Sequence, residues 1–294
     1  MSRAVPSMLP AQRKPREPVP AACAHRSLAD AQCQPISLRE VARWDLQRQR
    51  MLFQSLVPIH LLMQHGIDPI RLTDPQGRPL VFIQVDADVG AYRLELFHAA
   101  DTSEPMAELE LADTPFNRIE VVWARLQDMR GPRFDTDVLP DGESTLHGTG
   151  RRNLPAEEAA LAAGLAPGQV RRGLGDFRWL NDRLEIFMLA LNQREFVARP
   201  LYYHTAILFE RCGFDYLRGR TQMVAIARGF AGDGELRRRL DGSTPFRRPE
   251  LADTVRGRSW AIHDGVLARP WDRIQMIKRL GLHAGVDTSG AIPW

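Results

Sequence analysis

The sequence predicts an α+β fold, an antiparallel or mixed β-sheet flanked by helices, on three observations. A capping box at Ser37 opens a helical period, four segments between Pro79 and Leu126 alternate with period two, and beyond Asn153 helix-forming and strand-forming runs take turns. The chain's 294 residues, 44% hydrophobic and 26% charged, suit one large or two modest domains and exclude a collagen, a coiled coil or a disordered chain. A single α+β domain over residues 36 to 294 is the preferred division, with a helix and β meander at 36–130, a mixed half at 131–218 and an Arg-rich extension at 219–294.

Residues 1 to 35 carry six prolines, five basic residues and two acids with no sustained apolar period, and read as a flexible tail. Ser37-Leu-Arg-Glu40 then starts an amphipathic helix through Val41, Trp44, Leu52 and Leu56, broken or kinked at Pro58, with His60 and His65 in its continuation. The turn signal Asp74-Pro-Gln-Gly77 leads into strands at Pro79–Asp86, Tyr92–His98, Met106–Leu111 and Arg118–Leu126. Residues 130 to 153 hold too many Gly and Pro for a regular element and read as a long loop.

Asn153 is a plausible cap for a helix over Ala156–Gly164, stopped by Pro167-Gly168. A second helix begins at Asp176, with Phe177, Leu180, Leu184, Phe187 and Leu191 on one face. A strand at Arg194–Leu201, a short helix at Tyr202–Cys212 ended by Gly213, and a strand at Phe214–Leu217 follow. Of the C-terminal segment, Trp260 to Ile262 reads as a strand running into a His263-Asp264-Gly265 turn, and Trp271–Leu280 as a late helix.

The composition also bounds function. A net charge of +3 is too small to argue for nucleic acid. Lys14 and Lys278 are the only lysines, which disfavours Schiff-base chemistry. Cys23, Cys33 and Cys212 form neither a CxxC pair nor a metal spacing and read as reduced structural thiols. No apolar run approaches the ~20 residues of a membrane helix, and no signal-peptide pattern opens the chain, so a soluble cytoplasmic protein is expected.

Four places hold residues suited to chemistry. In Val170-Arg171-Arg172-Gly173-Leu174-Gly175, glycines let the backbone approach an anion at a helix start, and two arginines add charge; a helix-entry turn with solvated arginines is the other reading. Tyr202-Tyr203-His204 and Glu210 share a short helix, but six residues at ~100° each do not bring His204 and Glu210 to one face. His263 is an imidazole able to take a proton near neutrality beside Asp264, or simply a residue of an exposed turn. His204, His263 and Asp264 together are the composition of a two-histidine, one-carboxylate iron or zinc site, so a metal is not excluded.

The fourth place, His147-Gly148-Thr-Gly150-Arg-Arg152, suits a phosphate or a carboxylate, or is a plain loop. Ser243-Thr244 lies in a turn without a nucleophile elbow. Seven arginines against three acids between Arg237 and Arg258 favour phosphate or carboxylate contact or a solvated face, with nucleic acid disfavoured.

The stretch from 170 to 218 resembles the GCN5-related N-acetyltransferase superfamily. The family's loop, Gln/Arg-x-x-Gly-x-Gly/Ala before a helix, is similar to Val170–Gly175, and its Ala-x-x-x-Tyr-Glu-x-x-Gly-Phe segment to Ala206-Ile-Leu-Phe209-Glu210-Arg-Cys-Gly213-Phe214. Val170 stands at the Gln/Arg position and Phe209 at the tyrosine. The residues before the loop read as helix where the family has a strand. The resemblance implies an acyltransferase-like fold and acetyl-CoA or another acyl-CoA held by Arg171, Arg172, Gly173 and Gly175. It also implies attack on the thioester by a small amine, for which His263 and Glu210 are the available acid or base groups. A metal enzyme using His204, His263 and Asp264, or a non-catalytic ligand-binding protein on the same scaffold, are the alternatives.

Overall fold

A computed structural model describes residues 34–294 other than His147, Thr149 and Ala291, so the tail, Cys23, Cys33 and His147 lie outside the described residues. Ser37 caps α1 (Leu38–Val41) as a capping box, its hydroxyl accepting from the Glu40 amide at 3.2 Å while Glu40 takes the Ser37 amide at 2.7 Å. Instead of one helix to Pro58 there are two pieces, and a third follows it. Asp45 caps α2 (Leu46–Gln54) by accepting from the Arg48 amide at 2.9 Å, and Pro58 precedes α3 (Ile59–Gln64).

The four expected strands form an antiparallel meander, β1 (Val81–Asp86), β2 (Ala91–Leu96), β3 (Ala107–Asp113) and β4 (Ile119–Leu126), with a bulge at Val122. Tyr92, Leu94 and Leu96 alternate into the core, which fixes the register. Next come α4 (Leu154–Ala162), α5 (Phe177–Ala190), β5 (Glu195–Ala198), α6 (Tyr203–Arg211), β6 (Asp215–Arg218), α7 (Arg220–Phe230), α8 (Glu235–Arg238), a 3-10 turn at Pro249–Asp253, α9 (Val255–His263) and β7 (Gln275–Arg279). One seven-stranded sheet results, in the order β1-β2-β3-β4-β5-β7-β6.

Two C-terminal expectations are corrected. Residues 275–279 are not helix: β7 inserts between β5 and β6, antiparallel to both. Trp260 to Ile262 are not strand but the last turn of α9, capped by the Thr254 hydroxyl accepting from the Gly257 amide.

β4 and β5 run parallel, as the crossover through α5 allows, yet pair only from Ile119/Phe196 to Val121/Ala198. β4 continues to Leu126 while β5 stops, so the sheet parts at the carboxyl ends of these two strands. In open sheets with crossovers such a gap is where ligands bind. Rings staple the layers: Tyr92, Phe53 and Phe187 connect β2, α2 and α5, and Phe177, Phe209, Phe214 and Phe196 run from α5 through α6 to β5. A second small core, Ala160, Leu165, Phe246 and Trp260, joins the segment 127–173 to the segment 219–274. No helix among the described residues is long and apolar enough to cross a membrane.

Candidate functional site

The Gly173 loop sits where the sheet parts. Although α4 and a long excursion separate it from β4 in sequence, Gly173 pairs with Gln127 just past the strand, the Leu174 amide donating to the Leu126 carbonyl at 3.3 Å and the Asp128 amide to the Arg172 carbonyl at 2.8 Å. Gly173 thus lies beside the end of β4, running antiparallel to it. Gly175 takes φ +80°, a conformation glycine accepts readily, and a Cβ there would meet nothing within 4 Å.

Among the described residues, the amides of Gly173, Gly175 and Asp176 have no acceptor. At the N-terminus of α5 Asp176 caps with no side-chain bond, because its carboxylate lies 2.9 Å from His60 Nε2 on α3. The first turn's N–H groups stay open, as an anion requires. Arg171 does not contribute: its guanidinium donates to Glu104 Oε2 at 3.0 Å and to the Gly131 carbonyl at 2.6 Å. Arg172 is exposed and makes no ion pair among the described residues.

Beyond the end of β5 lies a second cluster, built by the two inserted segments. Arg152 donates to Glu157 Oε2 from Nε at 2.8 Å and from its terminal nitrogen at 2.5 Å, and to Asp264 Oδ1 at 2.8 Å. Asp264 also accepts from Arg247 Nε and the Thr244 hydroxyl, each at 2.9 Å. The anions Arg152 serves are thus the protein's own. Glu157, 1% exposed, turns its other oxygen to His263 Nε2 at 3.1 Å.

Burial would raise the Glu157 carboxyl, but the hydrogen bonds from His263 and Arg152 outweigh it and hold it below the usual glutamate value. Asp264 is held down in the same way by Arg152, Thr244 and Arg247 against its burial. Tyr202, four residues past β5, and Trp260 present ring edges to His263 at 5.6 and 5.9 Å between centroids. Gly168 leaves room for the Tyr202 ring, into which a Cβ would project.

Several expected residues do other work. Asp264 does not orient His263; Glu157 does. The sequence reading missed Glu157, whose signal was a shared helix face with Ala160 and Leu161. His204 is buried with Nδ1 2.9 Å from the Ser259 hydroxyl, and its pKa is pushed down to about 3 by burial, then by Arg256 and His263. The His204, His263 and Asp264 set is not brought together as ligands, and no group of three potential metal ligands occurs among the described residues.

Glu210 is 1% exposed and filled by the Tyr216 hydroxyl at 2.5 Å and by the Thr288 amide and hydroxyl at 2.9 and 2.6 Å, so it braces the 281–294 strap and is no acid or base. Phe209 is sealed between Phe177 and Phe214. Most of the C-terminal arginines are engaged: Arg237 with Asp253, Arg239 with Glu235, Arg258 buried on the Ala252 carbonyl.

No family model, curated protein or solved structure matches the chain.

Proposed function

We propose that the chain is an acyl-CoA-dependent N-acyltransferase acting on a small amine. The observation that carries this reading is the set of open amides at Gly173, Gly175 and Asp176, interrupted by the bonded amide of Leu174 and set at the carboxyl end of β4 where the sheet parts from β5. A diphosphate on those amides would point its thioester arm into the gap, beside a strand edge able to hydrogen-bond amide groups of that arm. The resemblance over residues 170–218 supports the same ligand. The backbone of Gly173 and Gly175 does the holding, with Arg172 the neighbouring cation.

Acetyl-CoA tests the reading by thermal shift. A ligand at about 100 times its dissociation constant adds about 2.7 kcal/mol to native-state stability, a rise of about 5–10 °C for a domain of this size. Gly173 has ordinary backbone angles, and a Cβ there would meet the Leu126 carbonyl at an easy 3.5 Å. Gly173→Glu therefore keeps the fold and places a carboxylate among the amides. The shift should vanish in the variant; no shift with the wild type, or the same shift in both, refutes the proposal.

A further inference from the structure

We propose that His263 is the proton acceptor of the transfer, a catalytic imidazole whose tautomer is set by Glu157 and whose Glu157 is positioned by Arg152. The proposal rests on the acyltransferase reading and adds the acid–base group it lacks. Other candidates are spent: Glu210 is saturated by Tyr216 and Thr288, Phe209 has no proton to give, and His204 is committed to Ser259. His263 differs in three respects. Its Nε2 faces a carboxylate, its Nδ1 has no partner among the described residues, and its side chain keeps 9% of its surface accessible.

The geometry is that of a base oriented by a third group. With Glu157 accepting from Nε2–H, the lone pair lies on Nδ1, and the positive charge gained on protonation faces a buried carboxylate. Tyr202 links the dyad to the Gly173 loop: four residues past β5, it faces His263 and packs on Gly168, one residue from Gln169, whose side chain lies beside Gly173. Replacing a buried charge network by apolar side chains is commonly neutral or stabilising, so stability alone does not account for this one. Its members come from the two segments inserted around β4–α5 and β6–β7. The charged and titratable groups around the imidazole are Glu157 and Arg152 on one side, Asp264 on its own turn with Arg247 bonded to it, Tyr202 at the cap of α6 and His204 within that helix.

In the step itself the amine nitrogen attacks the thioester carbonyl carbon, forming the C–N bond as the carbonyl π pair moves onto oxygen. The nitrogen's proton passes to His263 Nδ1. The carbonyl re-forms as the C–S bond breaks, and the imidazolium returns the proton to the departing thiolate, leaving an amide and free coenzyme A thiol.

Three measurements decide it. In the wild type, nitrogen-15 spectra of the neutral imidazole should show His263 protonated on Nε2 and bare on Nδ1; the opposite tautomer overturns the proposal. Acetyl-CoA should slow diethyl pyrocarbonate modification of His263, read by peptide mass. A thermal shift without such protection refutes the role of His263 while sparing the acyl-CoA reading, whereas no shift at all removes both. With acetyl-CoA and ethylamine as probe substrates, His263→Gln should lower thiol release about a hundredfold while keeping the acetyl-CoA shift. Equal release in the two proteins overturns it. Glu157→Gln, which keeps the shape of the positioning group, should lose the tautomer preference.

Discussion

Lowering the pH from 7 to 5 should cost this fold about 2 kcal/mol through His204 alone. Its ring is buried, Nδ1 against the Ser259 hydroxyl at 2.9 Å, with Tyr202 and Trp294 at centroid distances of 5.5 and 6.2 Å. Burial is the largest reason its pKa falls from 6.5 to about 3, and the positive charge of Arg256 acts in the same direction. Because the folded value lies below the unfolded one, the unfolded chain takes up the proton first. The stability is fully present above pH 6.5 and drains away as pH falls toward 3. At about 1.36 kcal/mol per pH unit, the loss is about 2 kcal/mol at pH 5 and about 5 kcal/mol at the lower limit.

Urea unfolding of the wild type and His204→Phe at both pH values isolates this contribution, since other titrating groups cancel in the difference. At pH 7 the variant should be weaker by about 1 kcal/mol for the stranded Ser259 hydroxyl. At pH 5 the gap should move about 2 kcal/mol in the variant's favour. A gap that stays constant between the two pH values would show that His204 is not held neutral, and the reasoning fails.

Arg152→Ala should destabilise by about 3–5 kcal/mol, because it leaves Glu157 without its guanidinium and takes one from Asp264; a loss under about 1 kcal/mol in chemical denaturation would show that the network is not coupled. Phe209→Tyr, which restores the residue expected from the resemblance, should cost about 1–3 kcal/mol for a hydroxyl placed between Phe177 and Phe214, and should not raise thiol release from acetyl-CoA. A rate increase would return the proton-transfer role to that position.

What could be read in the sequence was what local physics determines. Ser37 and Asn153 both cap helices, because a short polar side chain before a helical run has few better uses. The meander followed from period-two burial. Long-range pairing was hidden: Gln275–Arg279 has only two apolar residues, Met276 and Ile277, too few for periodicity to tell strand from helix, and its place between β5 and β6 makes it a strand. Trp260 to Ile262 read as a strand before the Asp264-Gly265 turn, yet they belong to α9, in which Gly257 stands where a Cβ would collide with the Leu251 backbone. Glu157 was hard to read as a site because a glutamate in an alanine-rich helix looks solvated until His263, 106 residues away, is folded onto it.

Arginine shows the same division between composition and place. The sequence displays basic residues near every candidate anion site, but Arg171 donates to Glu104 and a carbonyl, Arg152 and Arg247 hold internal carboxylates, and Arg256 bonds the Gly164 carbonyl. Guanidiniums with five fixed donors are spent crosslinking the inserted segments to the sheet. The proposed anion site is then left chiefly to backbone amides, whose partial charges do not move and which would bind by directed hydrogen bonds rather than by net charge. The proposed diphosphate site therefore asks nothing of the chain's net charge of +3, and the arginine count is a poor guide to where an anion would sit.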